Sequence, residues 1–304
     1  MKNRTAKSIV AVLALVCISA FSPAALAQTF RKVNVQHRAK MAQIASGGAS
    51  VWGLDSSGHP YVFKGISFVQ EGTISLAQIA VGGGSARQAD AVWALDPTGN
   101  IYQVVKSGST YVFNRIPGVL DFIAVGIGYQ DSCHPYEVWG LNTSSEVWRY
   151  NFCASNWDQE PGFLCAIQVG GGDIWGTDCN GDLFAFDYAT QQFLQRLTGV
   201  LQVAVEPQGA WVLGQESGHT YVSQITGNGD LARSCCLASS LVQIQAGDGV
   251  WGIDTSGEVY VLRFAQGFGF VQIPGIALAS VSVGSGGGVW GIDSTGQVFA
   301  FSTP

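Results

Sequence analysis

Six tryptophans are each followed three positions later by a carboxylate or a carboxamide: Trp52 and Asp55, Trp93 and Asp96, Trp139 and Asn142, Trp175 and Asp178, Trp251 and Asp254, and Trp290 and Asp293. An indole face suits the apolar face of a pyranose ring or a methoxy group, and an Asp or Asn oxygen accepts hydrogen bonds from hydroxyls. These twelve residues are the candidate ligand contacts. Each also has a competing structural role, since a Trp in every repeat is more often core and an Asp ahead of Ser, Thr or Gly more often caps its own turn. Nothing resembles catalytic machinery. The four histidines, His37, His59, His134 and His219, form no HExxH-like array, no nucleophile elbow occurs, and the carboxylates recur with the repeat as turn residues would. The expectation is therefore no enzyme, no metal and no cofactor.

What positions these residues is a repeat. Its copies centre on Trp52, Trp93, Trp139, Trp175, Trp211, Trp251 and Trp290, separated by 41, 46, 36, 36, 40 and 39 positions. That period accommodates four short strands. Each Trp is followed by a small residue in six of seven copies (Gly53, Ala94, Gly140, Gly176, Gly252, Gly291), then by turn residues and by an aromatic at the ninth position: Tyr61, Tyr102, Trp148, Phe184, Tyr260 and Phe299. In the fifth copy the aromatic, Tyr221, comes at the tenth. With a two-residue loop the Trp would lie directly opposite the aromatic, both on one face. The small residue would point the other way and let the Trp of a neighbouring sheet approach.

Upstream, Ile44, Ile79, Ile123, Ile167, Ile244 and Val281 each precede a Gly by three residues, which predicts an inner strand ending in a glycine-rich turn. The fifth copy departs, with Val203 followed by Glu206-Pro207. The last copy stops after its third strand, and Thr29-Phe30-Arg31-Lys32-Val33 reads as the missing fourth. The fold expected is all-β: one β-propeller of seven four-stranded blades spanning residues 28–304, the last closed by the N-terminal strand, with six blades as the alternative.

Residues 1–27 read as a secretory signal peptide: Lys2, Arg4 and Lys7, an apolar run from Ile9 to Phe21, then Ala25-Leu26-Ala27. Without them the formal charge falls from -6 to -9, with 12 basic and 21 acidic residues. That balance argues against nucleic acid and against anionic membrane surfaces, and no other stretch is long enough for membrane insertion. A secreted or periplasmic location follows. Six cysteines remain after cleavage, and an even count in an exported chain suggests disulfides. Cys133 and Cys153 fall in loops of one rim of the third copy, and Cys165 and Cys179 straddle the inner hairpin of the fourth. Cys235 and Cys236 are adjacent and could pair with each other or elsewhere.

The core pattern V-W-G-[LI]-D-x-[ST]-G-x-[VIL]-[YF] resembles the tectonin repeat of tectonin and tachylectin-1-like lectins over residues 29–304. The resemblance implies a multivalent carbohydrate-binding protein that recognises cell-surface glycans such as O-methylated sugars or lipopolysaccharide. It departs from the better-known members, which have six repeats, and in the fifth copy, where Val212-Leu213-Gly214 replaces Gly-x-Asp. The alternatives are an exported protein-interaction scaffold without sugar specificity and, as a third class, an enzyme.

Overall fold

The computed structural model describes residues 29–83, 89–127, 131–206, 209–216, 219–226, 231–237, 240–247, 249–264, 269–286 and 288–302. Residues 1–28, which include the expected signal peptide, lie outside the described residues, as do Gly84-Ser85, Pro207, Gly218 and the side chains of Cys235 and Cys236. Among the described residues no helix is long and apolar enough to cross a membrane.

The chain is a β-propeller in which each repeat becomes four antiparallel strands. In the first unit these are Met41–Ser46, Val51–Asp55, Pro60–Phe63 and Ser67–Gln70. Units two to six form five separate four-stranded sheets in chain order. The first and last repeats share an eight-stranded sheet, joined by Thr29–Val35. This strand pairs antiparallel with Val298–Ser302, from Thr29 opposite Ser302 to Val33 opposite Val298. It then touches the outer strand of unit one in parallel at Asn34 opposite Ser67 and Val35 opposite Phe68. The N-terminal segment is thus the outer strand of the last repeat, as its sequence indicated.

The inner strands of all seven repeats line a central cavity of about 970 Å³. Alternation of β-branched and small residues explains why these segments stand as strands with one face toward each neighbouring unit. The core consists of seven layers between consecutive units. The layer between units one and two, for example, holds Trp52 from one side and Ile79, Ala94 and Tyr102 from the other. The last layer sets Trp290 of unit seven against Met41, Ile44, Tyr61 and Phe68 of unit one.

One expectation is corrected by the register. The residue opposite each aromatic is the small residue after the Trp: Gly53 faces Tyr61, Ala94 faces Tyr102, Gly140 faces Trp148 and Gly252 faces Tyr260. Trp52 instead lies opposite Val62. The cause is a third loop residue. The Gly58 N–H donates to the Asp55 carbonyl at 2.9 Å, as in a type I turn, and Gly58 itself sits at φ 82°. A left-handed residue after a type I turn makes a bulge, and one extra residue moves every later side chain to the other face. The aromatic therefore shares a layer with the Trp of the preceding unit.

Unit five departs further. Its second and third strands, Gly209–Glu216 and His219–Ile225, run on until Glu216 faces His219. Trp211 consequently lies opposite Gln224, and Tyr221 opposite Gly214. The sequence change there lengthens the strand pairing of the hairpin.

Candidate functional site

In every unit but the fifth, the turn after the Trp strand is built on the Asp or Asn singled out in the sequence. Asp55 Oδ1 accepts from the N–H groups of Ser57 and His59, both at 2.9 Å. Asp96 does the same for Thr98 and Asn100, Asn142 for Ser144 and Glu146, Asp178 for Asn180 and Asp182, Asp254 for Ser256 and Glu258, and Asp293 for Thr295 and Gln297. In three units the second carboxylate oxygen takes the phenol of the aromatic, from Tyr61 at 3.4 Å, Tyr102 at 3.2 Å and Tyr260 at 3.2 Å. Burial pushes the Tyr260 phenol up to about 12, reinforced by its hydrogen bonds to Glu258 and Asp254. At Asp96 burial works to raise the pKa, but the hydrogen bonds from Asn100 and Thr98 outweigh it and hold the carboxyl well below the usual range. The Asp and Asn side chains act first as turn caps.

The indoles are taken out of solvent altogether. Trp52, Trp93, Trp139 and Trp175 are 0% exposed and the least buried, Trp290, only 8%. Each of five meets an aromatic of the next unit edge-on: Trp52 with Tyr111, Trp93 with Tyr150, Trp139 with Phe186, Trp251 with Phe301 and Trp290 with Phe63, at centroid distances of 4.6 to 4.8 Å. Such pairs contribute about 0.5–1.5 kcal/mol beyond burial. In this geometry none of the seven repeat indoles presents a face to solvent.

The small residue after the Trp does face the neighbouring unit's layer, yet its closest atoms belong to its own repeat. A Cβ added at Gly140, Gly176 or Gly291 would meet a Cδ1 of Leu120, Leu164 or Leu278 at 2.3–2.4 Å. Those leucines stand just before the inner strands, and their backbone N–H groups bond to the turn of the preceding unit, Leu120 to Gly99 and Leu278 to Gly257. Met41 closes the series by donating to the Gly296 carbonyl of the last repeat at 2.9 Å. The pattern was readable as Met, Leu or Val three residues before each inner-strand Ile or Val: Met41, Leu76, Leu120, Leu164, Val200, Leu241 and Leu278.

On this turn rim the residue after that anchor is exposed in every unit: Ala42, Ala77, Asp121, Cys165, Leu201, Val242 and Ala279. It is large and apolar only in units five and six, where Leu201 and Val242 are 59% and 57% exposed. The two flank a groove of about 680 Å³ whose other walls include Asp254, Thr255, Ser256 and Ser294. Apolar surface beside hydroxyls and a carboxylate can hold a ligand that carries both apolar and hydroxyl faces.

The Tectonin domain family model matches residues 27–205 and 240–304. The chain belongs to the Tectonin domain family. No curated protein sequence matches it. Among solved structures it is similar to YCF48 bound to a D1 peptide, at 11% identity over 94% of this chain and 100% of that one with TM-score 0.62. It is similar also to the β-propeller domain of Cps50 (Swd1) from Myceliophteria thermophila, at 9% identity over 90% and 100% with TM-score 0.65. A third is the Pan2 WD40 domain from Neurospora crassa, at 11% identity over 92% and 96% with TM-score 0.61. These likenesses show the propeller fold.

Both expected cysteine pairs of this tectonin chain are disulfides. Cys133–Cys153 joins the first and third loops of unit three, and Cys165–Cys179 ties the segment ahead of unit four's inner strand to the Asp178 turn. Two further devices hold units together. Gln78 donates through Nε2 to the Ile123 carbonyl at 3.0 Å and accepts the Ile123 N–H at 2.9 Å, and Gln43 does the same for Ile79. Ile244 N–H likewise donates to Gln202. A Gln directly before the inner-strand Ile or Val is the signal, at Gln43, Gln78, Gln202 and Gln243. In unit three, Glu137 at 0% exposure takes the Trp139 indole N–H at 2.7 Å and a bidentate pair from Arg149 at 2.9 and 2.6 Å. No sequence pattern marks that pair, since it is confined to one unit.

Proposed function

We propose that this chain is a secreted, multivalent carbohydrate-binding protein, a lectin without catalytic activity, whose ligands are cell-surface glycans such as O-methylated sugars or lipopolysaccharide. Its ring has seven blades, the eight-stranded sheet counting as two that touch through the short parallel pairing of Thr29–Val35. The observation that carries the glycan reading is the turn-rim groove of units five and six. There Leu201 and Val242 offer apolar surface to a methoxy group or a ring face while Ser256, Thr255 and Ser294 supply hydroxyls. Family membership supports the same reading, and a ring of repeated units gains avidity on a repetitive glycan without new contacts.

The burial of all seven indoles favours a second reading, a scaffold that binds protein rather than sugar. A glycan array that includes O-methylated monosaccharides and lipopolysaccharide cores separates the two. Signal that Leu201→Asp abolishes supports the lectin. Silence from folded protein, together with capture of a protein that free sugar does not release, supports the scaffold.

A further inference from the structure

We propose that the turn-rim groove and the central channel form one continuous site for a neutral oligosaccharide, whose end ring sits in the groove while the following rings descend into the channel mouth. This rests on the glycan reading of the groove. The groove is walled by Val242 and Gln243 of unit six and by Ala279 of unit seven, and the channel by Gln243, Gln245 and Ser280. Gln243 belongs to both walls, and Ala279 and Ser280 are consecutive, so the two cavities meet at this point. The channel also opens toward the same rim. At the loop end, a Cβ added to Gly82, Gly126 or Gly284 would lie 2.2, 2.4 or 2.1 Å from a backbone carbonyl of the next unit, so neighbouring inner strands crowd together there. Nearer the turns the gap is wide enough for a glutamine side chain to span it, as Gln78 does to reach Ile123. The channel is a funnel with its mouth on the turn rim.

The chemistry of the wall fits a sugar chain. Gln43, Gln78 and Gln202 each spend their carboxamide on the inner strand of the next unit. Gln243 holds the same position in unit six and is half-buried, yet it makes no such bridge to Val281 and has no side-chain hydrogen bond among the described residues. The side chains of Gln245, on the same strand, and of Ser280, on the next inner strand, are likewise half-buried without a partner among the described residues. A carboxamide offers two donors and an acceptor, the set that neighbouring sugar hydroxyls can meet. None of the described residues lining the groove or the channel is Lys, Arg or His. Two are carboxylates: Asp254 caps its turn, and Glu206 takes the Trp211 indole N–H at 2.7 Å. Lys40 stands near the Asp293 turn of unit seven, where its charge acts on that carboxylate. An anionic saccharide would therefore enter without a counter-charge and meet like charge, which is costly, whereas a neutral chain only exchanges hydrogen bonds with water. Cavities of about 300–1,000 Å³ hold a drug-sized ligand. The groove at about 680 Å³ and the channel at about 970 Å³ each reach that size, so a single hexose fills only part of the path.

The test is native mass spectrometry of the mature chain with neutral, partially O-methylated oligosaccharides of one to about five hexose rings, prepared from mannan, galactan and glucan. The same oligosaccharides with their primary hydroxyls oxidised to carboxylates form the second arm. The chain retains neutral species of about three or more rings about tenfold more tightly than single hexoses, and it discriminates against the oxidised forms. Gln245→Leu and Ser280→Ala, both in the channel and away from the groove, each lower retention of the longer species by about five- to tenfold. They leave single hexoses and the melting temperature unchanged, whereas Leu201→Asp lowers retention at every length. Binding that is independent of chain length, equal retention of the oxidised forms, or channel variants that hold the longer species as wild type does would overturn the continuous site and leave the groove reading standing. Retention of no sugar by the folded wild-type chain overturns the glycan reading and this site with it.

Discussion

Replacing Gln78 with Ala removes one clamp between two consecutive sheets. The inner strand of a propeller sheet has a free edge facing the channel, and its N–H and C=O groups need partners. Ile123 stands on such an edge with its side chain 1% exposed, and both its peptide groups are taken by the Gln78 amide, at 2.9 and 3.0 Å. Two neutral hydrogen bonds contribute about 1 kcal/mol each, and channel water restores part of the loss, so the variant is destabilised by about 1–2 kcal/mol. For a domain of this size that lowers the melting temperature by about 2–8 °C, read from intrinsic tryptophan fluorescence or calorimetry. Gln272→Ala, an exposed change on an outer strand, is the control and shifts stability by less than about 0.5 kcal/mol. Gln78→Glu sharpens the test because a carboxylate accepts the Ile123 N–H but cannot donate to the carbonyl. Its protonated form can, so its folded pKa lies above the unfolded one. The variant is therefore stabilised by acid and loses that gain as pH rises. If Gln78→Ala melts with wild type and Gln78→Glu shows no such pH dependence, the clamp is not what couples units two and three.

Gly257→Ala places a Cβ 2.9 Å from the Leu278 carbonyl at a φ of 83°, and costs about 1–2 kcal/mol in urea unfolding. Arg149→Met removes the cation that pairs with Glu137 at 0% exposure, leaving that carboxyl only the neutral donors Trp139 and Tyr188, and lowers stability by about 3–5 kcal/mol, which Glu137→Gln in the same chain partly restores. Breaking Cys133–Cys153 by double Ser substitution releases a crosslink over 20 residues and lowers stability by about 3 kcal/mol, measured against wild type without reductant. The turn carboxyls Asp55, Asp96, Asp178 and Asp293 are all held below their ordinary pKa. Their contribution is complete above about pH 4 and is lost as pH falls through the lower folded values. Asp96→Asn, which keeps the acceptor as Asn142 does in unit three, flattens the acid limb of the stability curve measured by denaturant titration.

The sequence by itself determined the repeat, the strands within it and the closing role of Thr29–Val33, because period, turn residues and alternation are local properties. It also showed a small residue after the Trp in six of seven copies, although the leucine that fills that space was legible only as an unexplained spacing. Which face the aromatic occupies relative to the Trp was decided by the left-handed Gly58 and its equivalents, since one bulged residue reverses every later side chain. Unit five escaped local reading for the same reason, its longer hairpin moving the partner of Trp211 from the tenth to the thirteenth position. Tertiary structure alone buried the repeat indoles between units. It also brought Gln78 to Ile123. Those facts depend on which edges and faces meet across units about forty residues apart, and no local pattern encodes that meeting.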